Sequence, residues 1–356
     1  MLRLEARAQP SKLMGALSPV IALLITVVIA VLLFLALGKD PVKGLGVFFY
    51  EPLKNTYQLT EVALKATPLI LCALGLSICY RSNVWNIGAE GQFLLGAIGA
   101  GGVALWITTQ GFKPGPWIML IVLGAGVMAG MVWAGVVAFL KDRFNANEIL
   151  VSLMLVYVAN LLLSYLVFGP WKDPQGFNFP QTKTFDASVT LSRLMSPGRL
   201  HWGFLLALAL VIVGWVFMAR SYAGYKLQVG GLAPAAARYA GFSDRSALWS
   251  VLLISGGLAG LAGAMDAVGP VGQLTPHISV GYGFTAIIVA FLGRLHPLGC
   301  ILASLLLSMF LIGGELAQSR LGLPNALTGV FQGLLLFALL ACDTLIAYRV
   351  RLRSAR

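Results

Sequence analysis

The sequence predicts an all-α polytopic membrane protein of about ten transmembrane helices, some short or broken, with both termini cytoplasmic. Three observations predict it. Charged residues make up only 11% of the 356 residues and hydrophobic ones 58%, against about a quarter charged in a soluble domain. Uninterrupted apolar runs recur along the chain, many near the ~20 residues that a bilayer crossing needs. Lys and Arg outnumber Asp and Glu by 25 to 13 and gather in alternate connections, as the positive-inside rule requires. That distribution accounts for the net charge of +12 with no nucleic-acid partner.

Apolar runs with charged or Pro/Gly boundaries place helices at 13–38, 63–80, 86–108, 116–140, 148–168, 201–219, 247–265, 278–293, 297–312 and 325–346. The whole chain, 1–356, then reads as one transmembrane domain. The first run exceeds the ~7–15 apolar residues of a signal peptide and is expected to stay as a helix. The runs 278–293 and 297–312 are short for a crossing. RLHPLG (Arg294–Gly299) parts them, either as a turn between two short helices or as a kink in one long helix. With ten spans, Arg3, Arg7, Lys12, Arg81, Lys141, Arg143, Arg294, the four basic residues of 220–246 and the four arginines of the tail YRVRLRSAR share one side. They are 15 of the 25, and that side is assigned to the cytoplasm.

Two connections are long. The external loop 169–200 is rich in Pro, aromatic and polar residues, either a docking surface or a plain connector. The cytoplasmic loop 220–246 contains a short predicted helix from Pro234 to Tyr239. Proline suits its first turn, the alanines favour helix and Gly241 suits the stop. It is a candidate docking element or an amphipathic connector.

Several chemistries are missing. The single Gly-Lys pair, Gly38-Lys39, is followed by Asp, so there is no Walker-type phosphate loop. Neither a G-x-S-x-G elbow nor an H-E-x-x-H zinc motif occurs. Cys72, Cys79, Cys300 and Cys342 lie in apolar runs, and His201, His277 and His296 form no cluster, so no metal is expected. GAIGAGG (Gly96–Gly102) and GLAGLAG (Gly257–Gly263) lie inside apolar runs and predict close helix packing.

The stretch NVWNIGAEGQ (Asn83–Gln92) carries the most informative polar residues. A helix continuous from Arg81 would set Glu90 about 13 Å deep, where a charge costs about 2.5–3.5 kcal/mol on insertion scales. Asn83, Asn86 and Glu90 would then share one face. Alternatively the helix starts at Asn86 as N-cap, with Glu90 in its first turn. In FNANE (Phe144–Glu148), Asn145 or Asn147 can cap the following helix, and Asn160 lies further along it.

NVWNIGAEGQFLLGA, NEILVSLMLVYVAN, GLAPAAARYAGF and GYGFTAIIVAFLG occur in the order found in permease subunits of ABC importers. Over about 60–345 the chain resembles the ribose, branched-chain amino acid and nucleoside permeases. The N-I-G-A-E-G-Q form is most similar to the branch for nucleosides and simple sugars. The resemblance implies a multi-pass permease of the bacterial cytoplasmic (inner) membrane that imports nucleosides or small sugars by alternating access. Branched-chain amino acids or monosaccharides are the alternative substrates, and an ATPase-independent secondary transporter is the rival mechanism. Implied partners are a second permease subunit, a cytoplasmic ABC ATPase holding ATP and magnesium, an external substrate-binding lipoprotein and the bilayer. No cofactor is expected on this chain. Gly231–Phe242 would be the coupling helix, with Pro234, Ala236, Ala237, Arg238, Tyr239 and Gly241 in the ATPase contact. Asn86, Glu90, Gln92 and Asn160 are the candidate pathway or helix-fixing groups, and Tyr282 and Phe284 the candidates for flanking the path. Two departures from the family pattern are Ala233, where Asn often precedes the proline, and Val156, where Asn often stands in M-L-N-Y.

Overall fold

The computed structural model describes residues 2–7, 11–111, 115, 117–195, 197–324 and 326–352. Arg353 and Arg356, assigned above to the cytoplasmic side, lie outside them. The chain runs β1 (Leu2–Ala6), α1 (Lys12–Ala36), α2 (Pro41–Leu45), a π-helical turn (Gly46–Tyr50), α3 (Glu51–Lys54), α4 (Thr56–Arg81), α5 (Ala89–Gln110), α6 (Ile118–Phe144) and α7 (Glu148–Phe168). It continues with a 3₁₀ turn (Ala187–Val189), α8 (Gly203–Arg220), α9 (Tyr222–Leu232), α10 (Pro234–Tyr239), α11 (Asp244–Asp266) and a π-helical turn (Ala267–Val271). The last elements are α12 (Tyr282–Leu292), α13 (Pro297–Leu321), α14 (Ala326–Ala347) and β2 (Tyr348–Leu352).

Among the described residues nine helices are long and apolar enough to cross a membrane, and α12 is a shorter apolar one. The chain is therefore an all-helical membrane protein, apart from one antiparallel ladder of β1 with β2. Residues 278–312 hold two separate helices, because Arg294 and Leu295 both take positive φ (58° and 52°), which an α-helix does not permit. The expectation that both are short fails for the second: α13 has 25 residues. It runs past the expected stop at 312 to Leu321 and carries Glu315 and Arg320 within it. Likewise α4 begins at Thr56 rather than 63 and carries Glu61 and Lys65 within it.

The chain forms two compact units, residues 1–59 with 309–356, and 60–308. In the first, α1 packs along α14, and Phe34, Phe48 and Phe331 form an aromatic cluster with centroids 5.2 to 6.1 Å apart. Asp343 of α14 accepts a hydrogen bond from Ser18 of α1.

In the second unit, the 60–81 part of α4 is almost wholly buried, and α5, α6 and α11 pack together closely. Here the glycine-rich runs do what their composition predicts. A Cβ on Gly96 would stand 2.1 Å from the carbonyl oxygen of Gly260, and one on Gly130 2.2 Å from that of Gly256. Only glycine allows backbones this close.

The loop 169–200, expected to be external, is tied down by its backbone. Thr182, Phe185 and Leu191 donate to the carbonyls of Leu274, Gly272 and Val268, and Thr182 and Val189 are fully buried. Arg199 reaches Glu61 with Nε at 3.0 Å from Oε1. That pair explains how α4 holds a carboxylate at 5% exposure.

Candidate functional site

The stretch Asn83–Gln92 resolves its two alternatives into a third arrangement. α4 ends at Arg81, and Asn83 takes φ 55°, which asparagine tolerates better than most residues. The chain then crosses without regular structure until α5 starts at Ala89, with Gly88 as N-cap. Glu90 is in the first turn, as one alternative has it, but Asn86 is not the cap. Glu90 is packed inside the protein, only 5% exposed.

Asn86 and Gln92, both essentially inaccessible, form a reciprocal amide pair. Asn86 Nδ2 donates to Gln92 Oε1 at 3.0 Å, and Gln92 Nε2 donates to Asn86 Oδ1 at 3.1 Å. Asn86 Oδ1 also accepts from the Gly88 amide at 3.0 Å, and its Nδ2 contacts Ser255 Oγ of α11 at 3.0 Å. Tyr80 Oη donates to the Asn86 carbonyl, and Ser152 Oγ of α7 accepts from the Ile87 amide. One asparagine thus fixes the non-helical link, the start of α5 and the middle of α11. Such a fully satisfied buried network is stable where a partly satisfied one is costly.

Glu90 reaches the other way. Its Oε2 accepts from the Gly283 amide at 2.7 Å, and the Ser279 side chain hydrogen-bonds it as well. Ser279 Oγ accepts in turn from Gly281 and Tyr282. The carboxylate sits at the N-terminus of α12, where free amides and the helix dipole favour negative charge. Gly283 permits this approach, since a Cβ there would lie 2.1 Å from the Glu90 nitrogen.

The remaining candidates separate. Tyr282 is buried beside Phe93, ring centroids 5.7 Å apart, whereas Phe284 is 40% exposed. Asn160 is exposed on α7, its Nδ2 folded back to the Val156 carbonyl. Val156 itself is buried against Gly91, so Asn160 does not occupy its surroundings. In FNANE, Asn147 caps α7 through the amides of Ile149 and Leu150, while Asn145 closes α6 at φ 51°.

At the basic end of the unit, α10 spans Pro234–Tyr239 as the sequence predicts, with proline at its start and Gly241 at φ 77° after it. Only Ala237 is buried; Pro234, Ala236, Arg238, Tyr239 and Gly241 are exposed, Tyr239 at 97%. Preceding it, Gly231 lies on the carbonyl of Arg81, where a Cβ would come within 2.0 Å. The exposed helix is thereby seated against the end of α4, two residues before Asn83.

A run of ion pairs that the sequence did not single out surrounds α10. Arg238 faces Asp244 at 3.7 Å, Arg245 meets Asp142 at 2.7 Å, and Lys141 meets Glu148 at 3.0 Å. Asp142 also accepts from Trp249 Nε1. Together they connect α10, α11, α6 and α7. Arg245 was visible as charge, but its partner Asp142 lies 103 positions away.

The arrangement has two parts. It has a buried polar hub that locks helices and an exposed short helix seated on it. A family model described as branched-chain amino acid transport system / permease component matches residues 58–340. The chain is 34% identical to a glucose ABC transporter permease protein of Haloferax volcanii, over 98% of this chain and 93% of the relative. It is 29% identical to a guanosine ABC transporter permease protein of Bacillus subtilis, over 90% and 91%. A nucleoside ABC transporter permease protein of Lactococcus lactis is 26% identical over 92% and 91%.

Proposed function

We propose that this chain, which belongs to the branched-chain amino acid transport system permease-component family, carries nucleosides or related small sugars inward as the transmembrane part of an ATP-driven importer. It is a permease subunit of an ABC transporter and a multi-pass protein of the cytoplasmic membrane. The family implies an ATPase and a second permease beside it.

The observation that carries the coupling reading is α10. A six-residue helix, exposed except at Ala237 and ending in a fully presented Tyr239, has little stabilising work within this chain. It suits insertion into a partner's groove. In this reading the ATPase binds ATP and magnesium, hydrolyses the nucleotide and pushes on Pro234–Gly241. The termini and the 220–246 loop are cytoplasmic, and an external binding lipoprotein delivers substrate to the side of loop 169–200. Asn86, Glu90, Gln92 and Tyr282 fix helices, and the exposed Asn160 and Phe284 face the pathway in the assembled complex.

Nucleosides are favoured by the N-I-G-A-E-G-Q stretch and by the Bacillus and Lactococcus relatives, which are guanosine and nucleoside ABC transporter permease proteins. The glucose relative makes a monosaccharide the second reading. The test is uptake of labelled guanosine and glucose into proteoliposomes holding the whole complex, with ATP inside. Uptake that needs ATP and fails for Arg238→Ala with Tyr239→Ala supports the proposal. Uptake by this chain alone, driven by an ion gradient, refutes it.

A further inference from the structure

We propose that the cavity between α8, α9 and α11 is a binding site for an anionic glycerophospholipid, with Lys226 holding the phosphate. The cavity has a volume of about 450 Å³, within the range of small-molecule sites. It is lined by Tyr222, Lys226 and Phe242 and by the apolar Phe217, Leu227 and Ile254. Of its lining, the transport reading uses only Ala237 and Gly241, which belong to the segment that the ATPase pushes.

Two ionisable side chains line the cavity, Lys226 and Asp244. Residues 220–246 contain four basic residues and one acid. That acid, Asp244, faces Arg238 at 3.7 Å. Lys226 has no carboxylate partner among the described residues. Its ammonium sits 4.4 Å from the ring centroid of Tyr222 and 5.4 Å from that of Phe242. Two aromatic faces hold the cation at the mouth of the cavity and leave its remaining side open.

The depth of the cavity specifies a lipid rather than a soluble phosphate. Ile254 lies ten residues inside α11, about 15 Å below its start on helical rise, and Phe217 lies three residues before the end of α8. The lining therefore joins the Lys226 ammonium to apolar side chains set along the membrane-spanning helices. A free anion has no use for those apolar side chains, whereas a phospholipid presents both phosphate and acyl chain. Ile212, Val213 and Val216 of α8 are each at least 45% exposed, as lipid-facing residues of a span are. Basic pockets between transmembrane helices at a charged membrane face recur as anionic-lipid sites. Ala237 of α10 also lines the cavity, so a bound lipid braces the seat of the exposed helix.

The test uses the intact transporter complex in nanodiscs of phosphatidylcholine into which phosphatidylglycerol is titrated, with native mass spectrometry counting retained phosphatidylglycerol. Lys226→Gln is expected to weaken retention by about fivefold, the effect of one basic residue at an anionic surface. Lys226→Arg should restore it, and Ser250→Trp should abolish it by filling the cavity. If Ser250→Trp does not assemble, the Gln and Arg variants decide alone. Retention that is equal in Lys226→Gln and wild type overturns the proposal. So does glycerol phosphate binding at Lys226 as tightly as phosphatidylglycerol, which would make the ligand a soluble anion.

Discussion

Glu90 and Gly283, 193 residues apart in the chain, meet in a 2.7 Å hydrogen bond from the glycine amide to the carboxylate. An acid in the first turn of α5 is therefore also the cap of α12. Replacing Glu90 by Ala leaves a buried amide without an acceptor, which costs about 1–3 kcal/mol. Glu90→Gln keeps an acceptor oxygen. The expected result is a clear loss of thermal stability for Glu90→Ala and a small one for Glu90→Gln, with transport following stability. If Glu90→Gln melts like wild type yet transports nothing, the charge acts on substrate instead.

Gly283→Ala should be far more damaging than its size suggests, because the new methyl would overlap the Glu90 backbone at 2.1 Å. Gly333→Ala, in α14 with nothing within 4 Å of its Cβ position, is the matched control. It should be neutral or stabilising by up to about 1 kcal/mol through helix propensity. Fluorescence-detected size exclusion after heating separates the two.

The reciprocal bonds of Asn86 and Gln92 predict non-additivity. Asn86→Ala and Gln92→Ala remove the same pair of interactions, so the double variant should lose less than the sum. The coupling should fall within about 0.5–3 kcal/mol, and Asn86→Ala should be the worse single change because Gly88 and Ser255 also lose a partner. Additive effects in a thermodynamic cycle would show the pair to be independent.

Tyr239→Ala and Arg238→Ala should leave stability within about 0.5 kcal/mol, as exposed substitutions do, while uncoupling ATP hydrolysis from uptake. Ala237→Leu, at the buried position of α10, should lower stability by about 1–3 kcal/mol through overpacking. A melting curve and an ATPase assay on the same preparations distinguish these outcomes.

His201 predicts a pH dependence. It lies just before α8, is 3% exposed and accepts from the Gly203 amide through Nδ1. Burial lowers its pKa to about 4, so the folded protein keeps it neutral. Between about 6.5 and 4 the unfolded chain binds a proton that the folded one does not, and stability falls as pH drops through that window. The contribution is complete above pH 6.5 and amounts to about 3 kcal/mol at most. Melting temperature against pH should flatten over this range in His201→Phe.

What the sequence made legible was local. Pro234, three alanines and Gly241 define α10 by chemistry contained within eight residues, and Asn147 caps α7 through amides two and three positions on. What it concealed was paired at a distance. α4 starts before the expected 63 and carries Glu61, whose partner Arg199 is 138 positions away. α13 runs past the expected 312 and carries Arg320, which meets Glu51 across 269 positions. The bond of Glu90 to the Gly283 amide likewise joins stretches 193 positions apart.

The glycine contacts of α5, α6 and α11 set a mechanical limit. Where Gly96 meets Gly260 and Gly130 meets Gly256, carbonyl oxygens stand at the distance of a missing methyl group, and sliding by even one residue would drive a larger side chain into backbone. A carrier must nevertheless open first to one face of the membrane and then to the other. These three helices are therefore expected to travel as one solid part through that cycle. The stroke has to be taken up where longer, softer side chains separate neighbouring helices.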